Sequence, residues 1–441
     1  MTLPWLRADG RRVVDEHGQA LPLRGTCAGG WLNMENFIDG YPGTERTLRA
    51  VVKDTLGPER AGFFFERFLH HFYGPGDAAF IAQAGATVVR VPFNYRHLEN
   101  DAQPFTYLES GFAKLERAVE LNANAGLYTI LDLHAAPGWQ NTDWHSDNAT
   151  RQTLLWDHPH YQERTVRLWT AIAERFAGNP AVAGYNLLNE PVTNAPWGRF
   201  SFNYTPNWPV INDLYARLVR AIRAVDSRHI LFLEGDLFSS RFYGLADPPD
   251  DNLVYSSHNY TPAGFGPGRY PGPYGGQEWT LESQREWFEA REGTRWTAER
   301  NVPLWVGEFG SAYNGPAEEV PDRLAAMRDQ LSVLNAHGAH WTTWTYKDVG
   351  VMGWVTLGEN NPYLERIAPI LSAKRELGTD FWMGWLLPND ASRALDVLMR
   401  RAEALIPDQT LNPTATSLFL QQTALEGYLG HLMQPAYANR F

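Results

Sequence analysis

Short apolar, β-branched runs recur along the chain, separated by longer stretches in which apolar residues return every three or four positions. The short runs predict strands at Leu21–Gly30, Thr87–Phe93, Tyr128–His134, Val182–Glu190, His229–Asp236, Leu253–Tyr260, Pro303–Gly310 and His340–Asp348. Continuous apolar runs of this length, bounded by turn signals, are what strands covered on both faces look like. Between them, Leu108–Ala125 brings Phe112, Leu115, Ala118, Val119 and Asn122 to one helical face, and Tyr161–Phe176, Asn212–Val225 and Pro321–His337 behave in the same way.

Eight buried strands alternating with helices imply parallel βα units, closed into a barrel or spread as an open doubly wound sheet. Polar or aromatic residues near the strand ends favour the barrel: Arg90, His134, Asn189, Glu190, Asp236, His258, Asn259, Tyr260, Glu308 and Trp344. A (β/α)8 TIM barrel collects such groups in one bowl at the C-terminal ends of its strands, whereas an open sheet would string them along a line. Turn signals at Asp9-Gly10 and His17-Gly18 predict an N-terminal hairpin capping the barrel bottom. The stretch from Asn36 to Gly76 is expected to be helical in its second half, and Pro262–Gly276, rich in Gly, Pro and Tyr, to form a mobile rim loop. The expected organisation is a catalytic barrel over residues 1–375 and a helical extension over 376–441, packed on the barrel.

Composition narrows the functional classes. A formal net charge of -12 disfavours a nucleic-acid partner, which needs Lys and Arg against its phosphates. Cys27 is the single cysteine, so no intrachain disulfide forms. No apolar stretch is long enough to suggest a membrane span, and the first ten residues lack the pattern of a signal peptide. A cytoplasmic protein is expected, with a secreted mature chain the alternative; the oligomeric state is open. The 17 Trp and 19 Tyr suit stacking against sugar C–H faces, and equally suit a large core.

Two carboxylates carry the chemistry. Glu190 lies in Tyr185-Asn-Leu-Leu-Asn189-Glu190-Pro191, and Glu308 in Leu304-Trp-Val-Gly307-Glu308-Phe309-Gly310. Each follows an apolar run, where a charge is costly unless it faces a polar cavity. Pro191 cannot donate to a sheet, so a strand can stop beside Glu190. A pair of carboxylates is what glycoside hydrolysis needs: one group to protonate the leaving oxygen and one to stabilise the oxocarbenium-like centre.

With these motifs on its fourth and seventh strands, the chain resembles glycoside hydrolase family 5, the cellulase-type (β/α)8 glycosidases, from about residue 21 to about residue 354. The resemblance implies a retaining β-glycoside hydrolase with Glu190 as acid/base and Glu308 as nucleophile. It also implies that Arg90 and Tyr260 hold the nucleophile ionised. By the same likeness His134 and Asn189 bind hydroxyls of the sugar, His258 sits near the acid/base, and Trp344 floors the sugar site. Gly29-Gly-Trp-Leu-Asn-Met-Glu35-Asn-Phe-Ile38 is similar to the motif after strand one in the exo-β-1,3-glucanases of the family, which would make Glu35 a ligand of the terminal sugar. Met34-Glu35-Asn36 stands where those enzymes have Glu-Pro, and Asp143 falls one position from the expected acidic residue of the loop after strand three.

The expected partner is an oligosaccharide or glycoside, cleaved from its end in the manner of a β-glucosidase or exo-β-glucanase. Endo-acting β-glucanase, glycolipid-directed endoglycosidase and β-mannosidase activity are alternatives on the same site. A non-catalytic carbohydrate-binding barrel would be expected to lack one of the two carboxylates. No metal or organic cofactor is implied: His70-His71 and His158-Pro-His160 lack ligand partners at metal spacing, and Gly264-Phe-Gly266-Pro-Gly268 opens no helix.

Overall fold

In the computed structural model, residues 3–194, 204–246, 250–266, 268–358, 360–377 and 399–400 are described. Eight parallel strands close into a barrel: β1 (Arg24–Cys27), β2 (Val88–Asn94), β3 (Tyr128–Ala135), β4 (Val182–Asn186), β5 (Ile230–Glu234), β6 (Leu253–His258), β7 (Leu304–Glu308) and β8 (His340–Thr343). Each strand pairs with its sequence neighbour, and β8 closes on β1 through Trp341–Arg24, Thr342–Gly25 and Thr343–Thr26. The (β/α)8 architecture expected from the strand pattern is therefore present.

The strands are shorter than their apolar runs suggest. β4 ends at Asn186, so Leu187–Glu190 already belongs to the rim, and β5 ends on Glu234 rather than Asp236. Helices at Glu109–Asn124, Pro159–Phe176, Trp208–Arg223 and Val320–Ala336 match the predicted amphipathic stretches. Trp208–Arg223 shows why: Ile211, Leu214, Tyr215, Leu218, Val219 and Ile222 form one buried stripe. Proline in the first turn of the last three of these helices fits a position where its missing N–H costs nothing. The expected extension beyond residue 375 begins at the end of the helix Pro362–Leu377 and otherwise lies outside the described residues, apart from 399–400.

The predicted hairpin is formed by Leu6–Asp9 against Arg12–Asp15. It closes the barrel bottom: Leu6, Val13 and Leu23 join Val88, Tyr128, Ile130, Phe232, Val254 and Trp305 in one apolar floor. Each aliphatic side chain so buried contributes about 1.5–3 kcal/mol. The stretch after β1 supplies helices at Glu45–Leu56 and Pro58–Phe72. The Gly- and Pro-rich stretch after β6 is more built than its composition suggests. It carries a short helix (Pro262–Phe265) and one strand of the hairpin Gly272–Tyr274/Gln277–Trp279, and Arg323 donates to the carbonyls of Ala263, Gly266 and Gly268.

Candidate active site

Above the apolar floor the barrel interior becomes polar, and Arg90 is its hub. Strand alternation turns Val89 and Val91 outward and Arg90 inward, where it is fully buried. Its Nη1 donates to Glu308 Oε1 at 2.6 Å and its Nη2 to Asn189 Oδ1 at 2.7 Å. Asn186 Oδ1 accepts from Nε and Nη2, at 3.1 and 3.0 Å. Nη2 also lies 3.1 Å from Asp132 and 3.4 Å from Glu234. A guanidinium fans five donors in one plane, which suits such a cluster. Burial works against its charge, yet Asp132 and Glu308 keep the guanidinium firmly protonated.

Glu308 is the last residue of β7. Gly307 before it leaves the room it needs, because a Cβ there would sit 2.7 Å from Ser256 Oγ and 3.1 Å from His258 Nε2. Tyr260 donates its hydroxyl to Glu308 Oε2 at 2.8 Å. Burial alone would push this carboxyl up, but His258, Arg90 and His134 outweigh it and hold it down at about 2.

Glu190 is positioned quite differently. It sits beyond the end of β4 with φ +48°, a left-handed backbone uncommon outside glycine. Two bonds fix that conformation: its N–H donates to Glu234 Oε2 at 2.8 Å, and its carbonyl accepts from Asn141 Nδ2 at 3.0 Å. Its Oε1 lies 2.6 Å from His258 Nδ1, and its Oε2 lies 3.3 Å from His145 Nε2. Burial raises its affinity for a proton and the nearby Glu308 and Glu234 add to it, against an opposing pull from His258. One carboxylate oxygen each from Glu190 and Glu308, with a ring nitrogen of His258, lie within 4.8 Å of one another.

The other side of the bowl is aromatic. The His134 ring stacks on Trp344 at 5.1 Å with 5° between planes. Its Nδ1 meets Asp132 at 2.7 Å and its Nε2 meets Glu35 at 3.1 Å. Burial pushes the Glu35 carboxyl up to about 7. His134 is pushed the other way by burial, but Asp132 and Glu35 prevail and bring it to about 10. The loops after β1 and β3 close over this side: Asn33 Nδ2 donates to the His145 carbonyl at 3.0 Å, Arg46 N–H to Asp147 at 2.7 Å, and Phe37 packs edge-on against Trp144 at 5.7 Å.

Glu35, Arg90, His134, Asn189, Glu190, His258, Tyr260, Glu308 and Trp344, all named from sequence, thus meet in one bowl. Asp236 does not join them: its carboxylate accepts from the Thr193 N–H at 3.3 Å and from the hydroxyls of Thr193 and Tyr204. Asp132, Glu234 and His145 are in the site without having been singled out. Asp132 could have been found, since it precedes His134 by two and therefore shares its strand face. Two trios, Glu190/His258/Glu308 and Glu35/His134/His145, bring ligand atoms within 4.8 Å, a spacing a metal ion could bridge. In the first, His258 Nδ1 already meets Glu190; in the second, His134 Nε2 meets Glu35 while His145 Nε2 faces Glu190 of the first.

A (β/α)8 barrel with two carboxylates this close, one ending its seventh strand and one just past its fourth, has the arrangement of a glycoside hydrolase. The family model described as Cellulase (glycosyl hydrolase family 5) matches residues 69–350, and the chain belongs to that family. The chain is 38% identical over 389 residues to a beta-xylosidase of Phanerodontia chrysosporium, covering 86% of this chain and 78% of that protein. It is 26% identical over 318 residues to Endoglucanase C of Acetivibrio thermocellus, covering 64% and 87%. A probable glucan 1,3-beta-glucosidase A of Neosartorya fischeri is 29% identical over 246 residues, covering 54% of this chain and 55% of that protein.

Proposed function

We propose that this glycoside hydrolase removes single sugars from the ends of β-glycosides by double displacement, with Glu308 as nucleophile and Glu190 as acid/base. The observation that carries this reading is the approach of the two carboxylates within 4.8 Å. Retaining enzymes keep their carboxyl groups about 5–5.5 Å apart, while inverting enzymes leave about 6.5–9.5 Å for a water. In the first step Glu308 bonds to the anomeric carbon as the glycosidic C–O bond breaks, and the Glu190 proton passes to the departing oxygen. In the second, Glu190 takes a proton from water, whose oxygen replaces Glu308 at carbon with net retention. Arg90 and Tyr260 keep Glu308 anionic, and Trp344, His134, Asn189 and Glu35 receive the sugar.

Action at the chain end is supported by the contacts that tie the loops after β1 and β3 to each other on the Glu35 side of the bowl. Glucose is the first reading for the sugar, in keeping with the loop motif around Glu35. Xylose is the second, favoured by the identity to the beta-xylosidase. The two share equatorial hydroxyls at C2, C3 and C4 and differ in the hydroxymethyl at C5. The test is turnover of p-nitrophenyl β-glucoside, β-xyloside and β-mannoside, with laminari-, cello- and xylo-oligosaccharides, by wild type and Glu308→Gln. Early release of monosaccharide alone, lost in Glu308→Gln, is expected. Early oligosaccharide products would overturn the exo assignment, and an inverted anomer by NMR would overturn double displacement.

A further inference from the structure

His258 holds one oxygen of Glu190, and His145 stands at the other. His145 reaches this place on a short 3-10 turn, Trp144–Ser146, in the loop after β3, and its carbonyl is tied to Asn33 across the bowl. Its ring continues a row. Trp344 and His134 lie 5.1 Å apart, His134 and His145 5.7 Å, and His145 and Phe238 6.3 Å. Glu35 meets the second ring of that row and Glu190 the third, so the row runs from the sugar platform past the proton donor. What lies beyond Glu190 is next to the departing group.

Phe238 is placed there by an unusual backbone. Leu237, Phe238 and Ser239 have φ of +51°, +54° and +60°, three consecutive non-glycine residues in the left-handed region. Such a conformation persists only where its surroundings impose it. Here the Asp236 carbonyl accepts from the N–H groups of Ser240 and Arg241 at 3.0 and 2.9 Å, and Ser239 Oγ donates to the Ser256 carbonyl at 2.7 Å. The Phe238 N–H donates to the Pro191 carbonyl at 3.3 Å, tying the turn to the residue after Glu190. Leu237 and Ser239 are buried by this arrangement, while the Phe238 ring stays half-buried beside His145.

We propose that His145 and Phe238 form the leaving-group side of the site, taking a ring-shaped aglycone (a second pyranose or an aryl group). His145 acts on Glu190 as a positioning residue, fixing Oε2 while His258 fixes Oε1. Its imidazole edge offers a polar partner to an aglycone hydroxyl, and the Phe238 face offers an apolar one to ring C–H groups. This rests on the double-displacement reading above.

The experiment compares leaving groups of one sugar: the β-glycosyl fluoride, which has no ring and needs little protonation, the p-nitrophenyl glycoside and the disaccharide. His145→Ala should lower kcat/KM on the disaccharide by roughly 10- to 100-fold and on the fluoride by less than about threefold, because help to the acid matters only for poor leaving groups. His145→Gln, which keeps a donor at similar reach, should recover most of the loss. Phe238→Ala should raise KM for disaccharide and aryl glycoside by about tenfold, the scale of one lost apolar contact, and leave the fluoride unchanged. Equal losses on fluoride and disaccharide would mean a purely structural role and overturn the proposal, as would full activity of both variants on the disaccharide. Turnover of the fluoride by wild type keeps the hydrolase reading apart from this outcome; a wild type silent on it takes both down.

Discussion

Glu308 and Glu190 bring carboxylate oxygens within 4.8 Å of each other, yet the barrel handles them in opposite ways. Glu308 ends a strand, in regular backbone, with Arg90 on one oxygen and Tyr260 on the other. Glu190 lies past the end of its strand in left-handed backbone, held through its own N–H and carbonyl, with its carboxyl facing two imidazoles and two buried acids. A carboxylate surrounded by donors stays ionised, and one crowded by buried acids keeps its proton. In the proposed mechanism one residue type thus fills two chemical roles because its neighbours differ.

The largest effect that could break this comparison is at Glu308. Glu308→Gln should lower kcat by at least about 10⁴-fold on every substrate, whatever the leaving group. Activity surviving on activated glycosides would reverse the two roles. Glu190→Gln should cost about 10²–10⁴-fold on disaccharides but far less in glycosyl-enzyme formation from dinitrophenyl glycosides, measured as a burst. The pH profile sharpens the same contrast. The proposed mechanism needs Glu308 ionised and Glu190 protonated. Glu308 is held at about 2, so kcat/KM should persist well below the ordinary carboxylate range and fall as pH rises through the raised value of Glu190. In Glu190→Gln that alkaline fall should vanish on activated substrates.

Arg90→Met removes the cation on which Glu308, Asp132 and Glu234 depend, and should destabilise the fold by about 3–5 kcal/mol in denaturant unfolding. A loss under about 1 kcal/mol would show that those acids simply take up protons. Val13→Ala, in the floor below, should cost only about 1.5 kcal/mol for two methyl groups and leave kcat per folded molecule unaltered. A change in kcat would join floor and rim, which the layering of the barrel keeps apart.

The barrel and the paired carboxylates were legible in the chain because both depend on local pattern: β-branched runs of strand length, and acids placed directly after them. Arg90 and His134 were legible for the same reason, each being a polar residue in an apolar run. Glu234 was overshadowed by Asp236, two residues on, since an apolar run does not show where the sheet hydrogen bonds stop. His145 carried no signal at all. Its place is set by the fold of the β3 loop against Asn33 and Phe238, contacts between residues far apart in sequence.

The left-handed backbone at Glu190 carries a lesson for engineering. Glycine adopts that conformation freely, whereas a glutamate gives up about 1–2 kcal/mol to hold it. Replacement by glycine would also spare the protein a buried acid. A selection for heat resistance that never asks for turnover should therefore enrich Glu190→Gly, trading the proposed proton donor for a higher melting temperature. Position 190 must be frozen in any stabilisation campaign, because thermodynamics and chemistry disagree there about which residue belongs.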